Sequence, residues 1–362
     1  MAAGLDVCLG KEISLGKWNS LSYVRSAFLG NCKPHPATSR RMLTQEALPA
    51  TRETPSFAFS VMITASMRAE RQRRSGSILL VAILFLTAGC SKKDAAPPLD
   101  HPRLTPNVVL RDVTFRSAAL GRDMRYRVVL PASVKAGQRL PVIYLLHGGG
   151  GGFRDWTNDS DVARFADSGV ILVMPEGGSS YYANAVDPPQ DRYEDYIVSD
   201  IIADVESKFP AATARANRAI AGVSMGGFGA VKLALRHPNL FGFAAAMSSA
   251  IDVPRRAFSM KRWQQSRHYN SIFGTSGSQT RRENDPFVLV RTANPEATPY
   301  LFLTCGEQEG LLPANREFAK LLEARHFHFE FHTVPGGHDW NQWNAWLPSL
   351  FRSLAEHMSS KP

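Results

Sequence analysis

Cysteine is scarce in this chain, with four among 362 residues. Cys8, Cys32 and Cys90 lie at or before position 90 and only Cys305 follows, so the rest of the chain can form no internal disulfide and spells no zinc-ligand spacing. Long apolar runs are missing too. The stretch from Ile78 to Leu86 is too short to cross a bilayer as a permanent helix. The formal charge is +10, yet there is no basic run of the kind that grips nucleic acid. Residues 1–90 hold 11 Lys+Arg against 5 Asp+Glu, whereas residues 91–362 hold 31 against 27, a balance of only +4. No internal repeat is found. What remains is a mildly basic chain, long enough for one large α/β domain or for two smaller ones.

Half of the +6 in residues 1–90 lies in "MRAERQRRSGSILLVAILFLTAGC", residues 67–90, with four Arg against one Glu. Arg68, Arg71, Arg73 and Arg74 make a positive segment, Ile78 to Leu86 an apolar one, and Thr87, Ala88 and Gly89 a small-residue cleavage site, the order of an export signal. The arginine cluster before it and the polar, proline-containing "SKKDAAPPLDHP" after it argue against a buried core helix. Residues 1–66 are read as a mis-assigned start or a disordered extension, 91–105 as a linker, and 106–358 as the domain.

Within that domain "NVVLRDVTFRSAALGRDMRYRVVLP" alternates as an antiparallel hairpin turning near Gly121. The segments "LPVIYLLHG", "GVILVMPEG", Arg218 to Gly222, Phe241 to Met247 and "TPYLFLTCG" are continuously apolar, as strands covered on both faces are. Helical spacing occurs over Ser160 to Asp167, "RYEDYIVSDIIADVESKF", Met225 to Arg236, Ala314 to Ala324 and Asn341 to His357, and "FHFEFHTVP" reads as a last strand. Residues 253–295, basic, aromatic and broken, read as a helical excursion over the sheet. The alternation predicts an α/β fold, a mostly parallel central sheet with helices on both faces.

Chemistry is concentrated at "RAIAGVSMGGFGAVKLALRHP", residues 218–238. Gly-x-Ser-x-Gly arises by chance in a chain with 27 glycines, but here Ser224 stands between a buried strand and an immediate helix, the setting of a nucleophile elbow. A serine hydroxyl needs a base to take its proton, and the base needs an acid to orient it. In such folds the chain order is serine, acid, histidine. His338 sits in the glycine-rich "PGGHDWNQW" after the last strand, whereas His326, His328 and His332 alternate along that strand and read as solvated or packing residues. For the acid, Glu307 and Glu309 both follow "YLFLTCG"; Asp339 would have to fold back on its own neighbour. The residues alone leave the two glutamates open. One oxyanion donor is expected from the N–H of Met225 and another from "HGGGGG", which ends in Phe153 and Arg154 rather than the Lys-Ser/Thr of a phosphate loop. Trp156 and Tyr182, on loops at the expected active face, are the candidate pocket residues; Tyr181, Trp263, Trp340 and Trp343 read as core.

The stretches "YLLHGGGGGFRDW", "RYEDYIVSDI", "GVSMGGFGAVKLALRHPNLF", "CGEQEGLLPANREF" and "PGGHDWNQW" make residues 106–357 resemble the esterase D family of α/β-hydrolases. That family includes S-formylglutathione hydrolases, tributyrin and feruloyl esterases, and mycolyltransferases. The resemblance implies a serine esterase of the α/β-hydrolase fold that works through an acyl-enzyme, without cofactor or metal. It puts the acid on Glu309, where most members have aspartate and the mycolyltransferases glutamate, and the second oxyanion donor on Gly149. "LTAGC" resembles the lipobox of bacterial lipoproteins, which implies lipidation of Cys90 as a new N-terminus. Thr87 stands where leucine is usual, so plain secretion after cleavage stays open. The expected partners are a small-molecule or glycan ester and, through the lipid on Cys90 alone, a membrane; nucleic acid is not expected. Acyl transfer to a sugar, and a surface binding protein that keeps the fold without the chemistry, are the alternatives. The export signal disfavours cytosolic S-formylglutathione hydrolysis.

Overall fold

The hairpin read from alternation is present in the computed structural model, which describes residues 99–358. The extension 1–66, the signal 67–90 with Cys90, and linker residues 91–98 lie outside the described residues. Strands β1 (Val108–Ser117) and β2 (Arg122–Pro131) pair antiparallel, and Gly121 takes the left-handed turn at φ +61°. The buried runs become β3 (Val142–Leu146), β4 (Ile171–Pro175), β5 (Arg218–Val223), β6 (Phe243–Met247) and β7 (Tyr300–Gly306); β8 (Phe329–Val334) closes the sheet. The order is β1-β2-β4-β3-β5-β6-β7-β8. From β4 to β8 every neighbouring pair is parallel.

Why these runs are apolar throughout follows from the two layers of helix that cover them. Val142, Tyr144 and Leu146 of β3 face one core with Ile220, Ala244 and Leu301, while Ile143 and Leu145 face the other with Leu172, Ala219 and Phe302. The first core is covered by α2 (193–208), α3 (Met225–Arg236), α6 (Pro286–Thr292) and α7 (Leu312–Ala324). The second is covered by α1 (Asp155–Asp159) and α8 (Trp340–Met358). The excursion supplies α4 (Trp263–Phe273) and α5 (Gln279–Glu283) before α6. Each fully buried Leu or Ile contributes roughly 1.5–3 kcal/mol.

Three details differ from the sequence reading. The helix expected over Ser160 to Asp167 is split: Ser160 is extended, its Oγ donates to the Trp156 carbonyl at 2.5 Å, and a 3₁₀ turn over Val162–Ser168 follows. The long amphipathic segment is α-helical at both ends but π-helical over Tyr196–Ile201, where Tyr196, Ile197 and Ile201 are all buried. The linker ends earlier than expected. Asp100 pairs with the fully buried guanidinium of Arg127 at 2.6 Å, and the Arg103 N–H donates to the Thr157 carbonyl at 2.8 Å, so residues from Asp100 onward belong to the domain's surface. Arg127 needs this partner because a buried cation without carboxylates is costly; Asp112, at 2.7 Å, is its second.

Parallel strands end together. The loops after β3, β5, β7 and β8 therefore gather at one edge of the sheet, the edge where sites form in open α/β sheets.

Candidate active site

Ser224 links β5 to α3 with φ +54° and ψ −113°, a conformation that costs a non-glycine residue about 1–3 kcal/mol. The turn is possible only because its flanks lack side chains. A Cβ on Gly222 would lie 2.3 Å from the Gly226 carbonyl carbon, and one on Gly226 would lie 2.1 Å from the Leu146 carbonyl oxygen. The strained residue is pinned on both sides: its N–H donates to the Met247 carbonyl at 2.9 Å, and its carbonyl accepts the Phe228 and Ala250 N–H groups at 3.1 Å each.

The hydroxyl faces the last loop. Ser224 Oγ lies 2.9 Å from His338 Nε2, and His338 Nδ1 lies 2.7 Å from Glu309 Oε2. A carboxylate only accepts, so Nδ1 carries the hydrogen and Nε2 presents its lone pair to the serine. The imidazole is 40% exposed while the glutamate side chain is 1% exposed, so the ring can meet a substrate and its partner cannot. The second oxygen of Glu309 accepts from Ser248 Oγ at 2.5 Å and from the Gly306 N–H at 2.8 Å. Three donors thus hold one buried charge. The rival carboxylates are elsewhere: Glu307 is exposed, with its N–H on the Val334 carbonyl, and Asp339 caps α8 by accepting the N–H groups of Asn341 and Gln342 at 2.9 and 3.1 Å.

Ser248 was not anticipated. It is buried, takes φ +51°, and its Oγ accepts the Trp343 indole N–H at 2.9 Å while donating to Glu309. The pair of serines ending a buried strand beside the acid's own strand was the available signal. Trp343 also sets its ring edge-on to His338, with centroids 5.1 Å apart.

Trp156 does not line a pocket. Its side chain is fully buried and packs against Trp340, which packs against Trp343, so it backs the histidine from inside the second core. Tyr182 is a second correction. It is likewise fully buried, its ring fills the space left by Gly177 and Gly229, and its hydroxyl donates to the His147 carbonyl at 3.0 Å. Both residues are too large and apolar to stay at the surface where packing partners exist. Trp263, read as core, is exposed instead.

The oxyanion candidates come close to the serine. Met225 is the first residue of α3, where helix N–H groups lack intrahelical partners and the helix dipole is positive. A Cβ built on Gly149 would lie 3.9 Å from Met225 Cβ, and one on Gly148 would lie 3.6 Å from Ser224 Cβ, so the glycine loop passes directly beside the elbow. Buried His147 shapes that loop. Its Nε2 accepts the Gly177 N–H at 2.9 Å, which leaves Nδ1 to donate to the Gly148 carbonyl at 2.8 Å. Below it Glu176 accepts the Gly178 N–H at 2.9 Å and the Phe153 N–H at 3.4 Å, which ties the loops after β3 and β4 together.

Helix α3 carries its own anchor. Lys232 is fully buried, with Nζ 2.6 Å from Glu194 and 2.7 Å from the Tyr182 carbonyl. Glu194 also binds Arg236 at 2.7 Å and His237 at 2.8 Å. Burial pushes the Lys232 ammonium pKa down, whereas burial of Glu194 is outweighed by Lys232, by the hydrogen bond to His237 and by Arg236, which hold its carboxyl well below the usual range. Cys305 is buried, and burial pushes its thiol up to about 12, which suits packing and not nucleophilic work. Among the described residues, no group of three His, Cys, Asp or Glu side chains is placed to hold a metal, and no helix is long and apolar enough to cross a membrane.

Residues 117–354 match the Esterase family, well over half of the chain. The chain belongs to that family. The acetyl esterase of Caldicellulosiruptor saccharolyticus is 24% identical over 264 residues, covering 69% of this chain and 99% of the relative. An esterase of Mycobacterium tuberculosis is 27% identical over 271 residues, covering 66% of this chain but 56% of that longer protein. Among solved structures, a ferulic acid esterase is 26% identical with a TM-score of 0.60, over 70% of this chain and 99% of its own. The expected family and the α/β-hydrolase fold are therefore both found: this esterase is an α/β-hydrolase with a mostly parallel eight-stranded sheet.

Proposed function

We propose that this enzyme cleaves carboxylic esters through an acyl-enzyme on Ser224. The observation that supports it best is the continuous chain Ser224–His338–Glu309, at 2.9 and 2.7 Å, with a single consistent assignment of hydrogens. The Ser224 oxygen attacks the ester carbonyl carbon as its proton passes to His338 Nε2. The oxyanion is held by the N–H groups of Met225 and Gly149, each such donor contributing about 2.7–4 kcal/mol to the transition state. Collapse breaks the bond to the alcohol, which leaves with the proton from His338. Water then repeats the sequence on the acyl-serine, with Glu309 steadying the imidazolium each time. Ser224→Ala should abolish both turnover of 4-nitrophenyl acetate and labelling by a fluorophosphonate; retained labelling would refute the assignment.

The same reading covers location. Residues 67–90 serve as an export signal, and Cys90 is the site of a lipid anchor that is the domain's covalent tie to a bacterial membrane. Its support is the order of charged, apolar and small residues ending in "LTAGC". Acyl chains contribute about 0.8 kcal/mol per buried CH₂, so several together anchor stably. Cys90→Ala should shift the protein from the membrane pellet to soluble or uncleaved fractions; a native protein that keeps residues 1–89 and stays in the cytosol would refute it.

A further inference from the structure

From Val253 to Arg282 the chain carries seven Lys+Arg and no Asp or Glu. Four of these cations are occupied by the fold. Arg255 and Arg256 pair with Glu317 and Asp252, Arg281 is buried against backbone carbonyls, and Arg282 binds Gln279 and the Gly277 carbonyl. Lys261, Arg262 and Arg267 are exposed and have no carboxylate partner among the described residues. Between them the surface is apolar: Phe258 is 48% exposed, Met260 77% and Trp263 46%. Isolated exposed apolar residues are ordinary, but three within six positions, interleaved with cations, are not.

The support beneath is rigid. Helix α4 buries Ser266, Tyr269, Ile272 and Phe273, which turns Trp263 and Arg267 outward, with the guanidinium 5.2 Å over the indole ring. Ser266 Oγ accepts the Ser259 N–H at 3.0 Å and fixes the approach to the helix.

We propose that residues 258–267 form a docking surface for a bilayer with anionic headgroups. Phe258, Met260 and Trp263 enter the boundary between headgroups and acyl chains, while Lys261, Arg262 and Arg267 meet lipid phosphates, their stems lying along the apolar side chains. The exposed apolar groups select a membrane over a soluble polyanion. A polyanion would satisfy the charges and leave the three side chains in water; an interface takes both. This surface is independent of Cys90 and would act beside any lipid attached there.

The test uses the chain from Ser91, which lacks both the 67–90 signal and the acylation site and keeps every residue of the described domain, sedimented with phosphatidylcholine vesicles with and without phosphatidylglycerol. Binding should require phosphatidylglycerol and weaken with salt. Loss of a Lys or Arg contact lowers partition roughly five-fold, so K261Q/R262Q should lower it roughly twenty-five-fold. M260S/W263S should lower it about ten-fold or more. Brominated lipid should quench tryptophan fluorescence, and Trp263→Phe should remove most of that quenching. Unchanged hydrolysis of 4-nitrophenyl acetate verifies that each variant is folded. Partition untouched by both double variants, or equal on pure phosphatidylcholine, would overturn the proposal. So would sensitivity to the charge variant alone, or capture by dextran sulfate with vesicles ignored, since either assigns the patch to a polyanion.

Discussion

Replacing Glu309 by glutamine isolates one hydrogen at the heart of the site. The side chain is buried and isosteric, and its amide oxygen can keep accepting from Ser248 Oγ and the Gly306 N–H, now at 2.5 and 2.8 Å. The amide nitrogen is then left facing His338 Nδ1, 2.7 Å away, and it can only donate. Nδ1 must give up its hydrogen, which moves to Nε2 and points at Ser224 Oγ. The ring stays in place but presents a hydrogen where a lone pair is needed. In a serine protease the corresponding change of tautomer lowers kcat about 10⁴-fold, and a comparable loss is expected here, equivalent to about 5.5 kcal/mol. Hydrolysis of 4-nitrophenyl acetate should show the loss in kcat with KM little changed, and fluorophosphonate labelling should slow in parallel. Glu307→Gln, at an exposed side chain, should leave both within two-fold or so of the parent. Equal and mild effects from the two variants would refute the reasoning, as would a Glu309→Gln protein whose thermal unfolding shows it is simply unfolded.

Gly226→Ala places a methyl 2.1 Å from the Leu146 carbonyl, a backbone atom that cannot swing away, so about 3 kcal/mol of stability should be lost and kcat should fall with the displaced elbow; urea midpoint and turnover measure the two. Lys232→Met removes one cation from Glu194 but leaves Arg236 and His237, so the loss should sit near the lower end of the range for broken buried pairs, about 3 kcal/mol by urea unfolding.

The strands were legible because a strand covered on both faces has no polar positions to confuse its pattern, and the elbow because its glycines answer to backbone contacts of 2.1 and 2.3 Å. Glu309 was harder to tell from Glu307, since two glutamates separated by one residue differ only in which way the loop turns them. Trp156 and Tyr182 were misjudged for a related reason: a loop position says nothing of whether Trp340 or Gly229 waits behind it. Ser248 and the Lys232–Glu194 pair were invisible. Their partners lie 61 and 38 positions away, and only the folded chain brings them together.

Ser224 and His338 stand 114 positions apart, Glu309 lies between them 29 positions before His338, and β6, β7 and β8 separate the two ends of the chain of hydrogen bonds. The loop that bears His338 is the last one before α8, whose Trp343 and Asp339-capped start hold it in place. During synthesis the serine is therefore made long before anything can take its proton. On the proposed mechanism a nascent or prematurely terminated chain would be inert toward the esters around it, and one cut by a protease between β7 and α8 that lets the halves part would be silenced with its elbow intact.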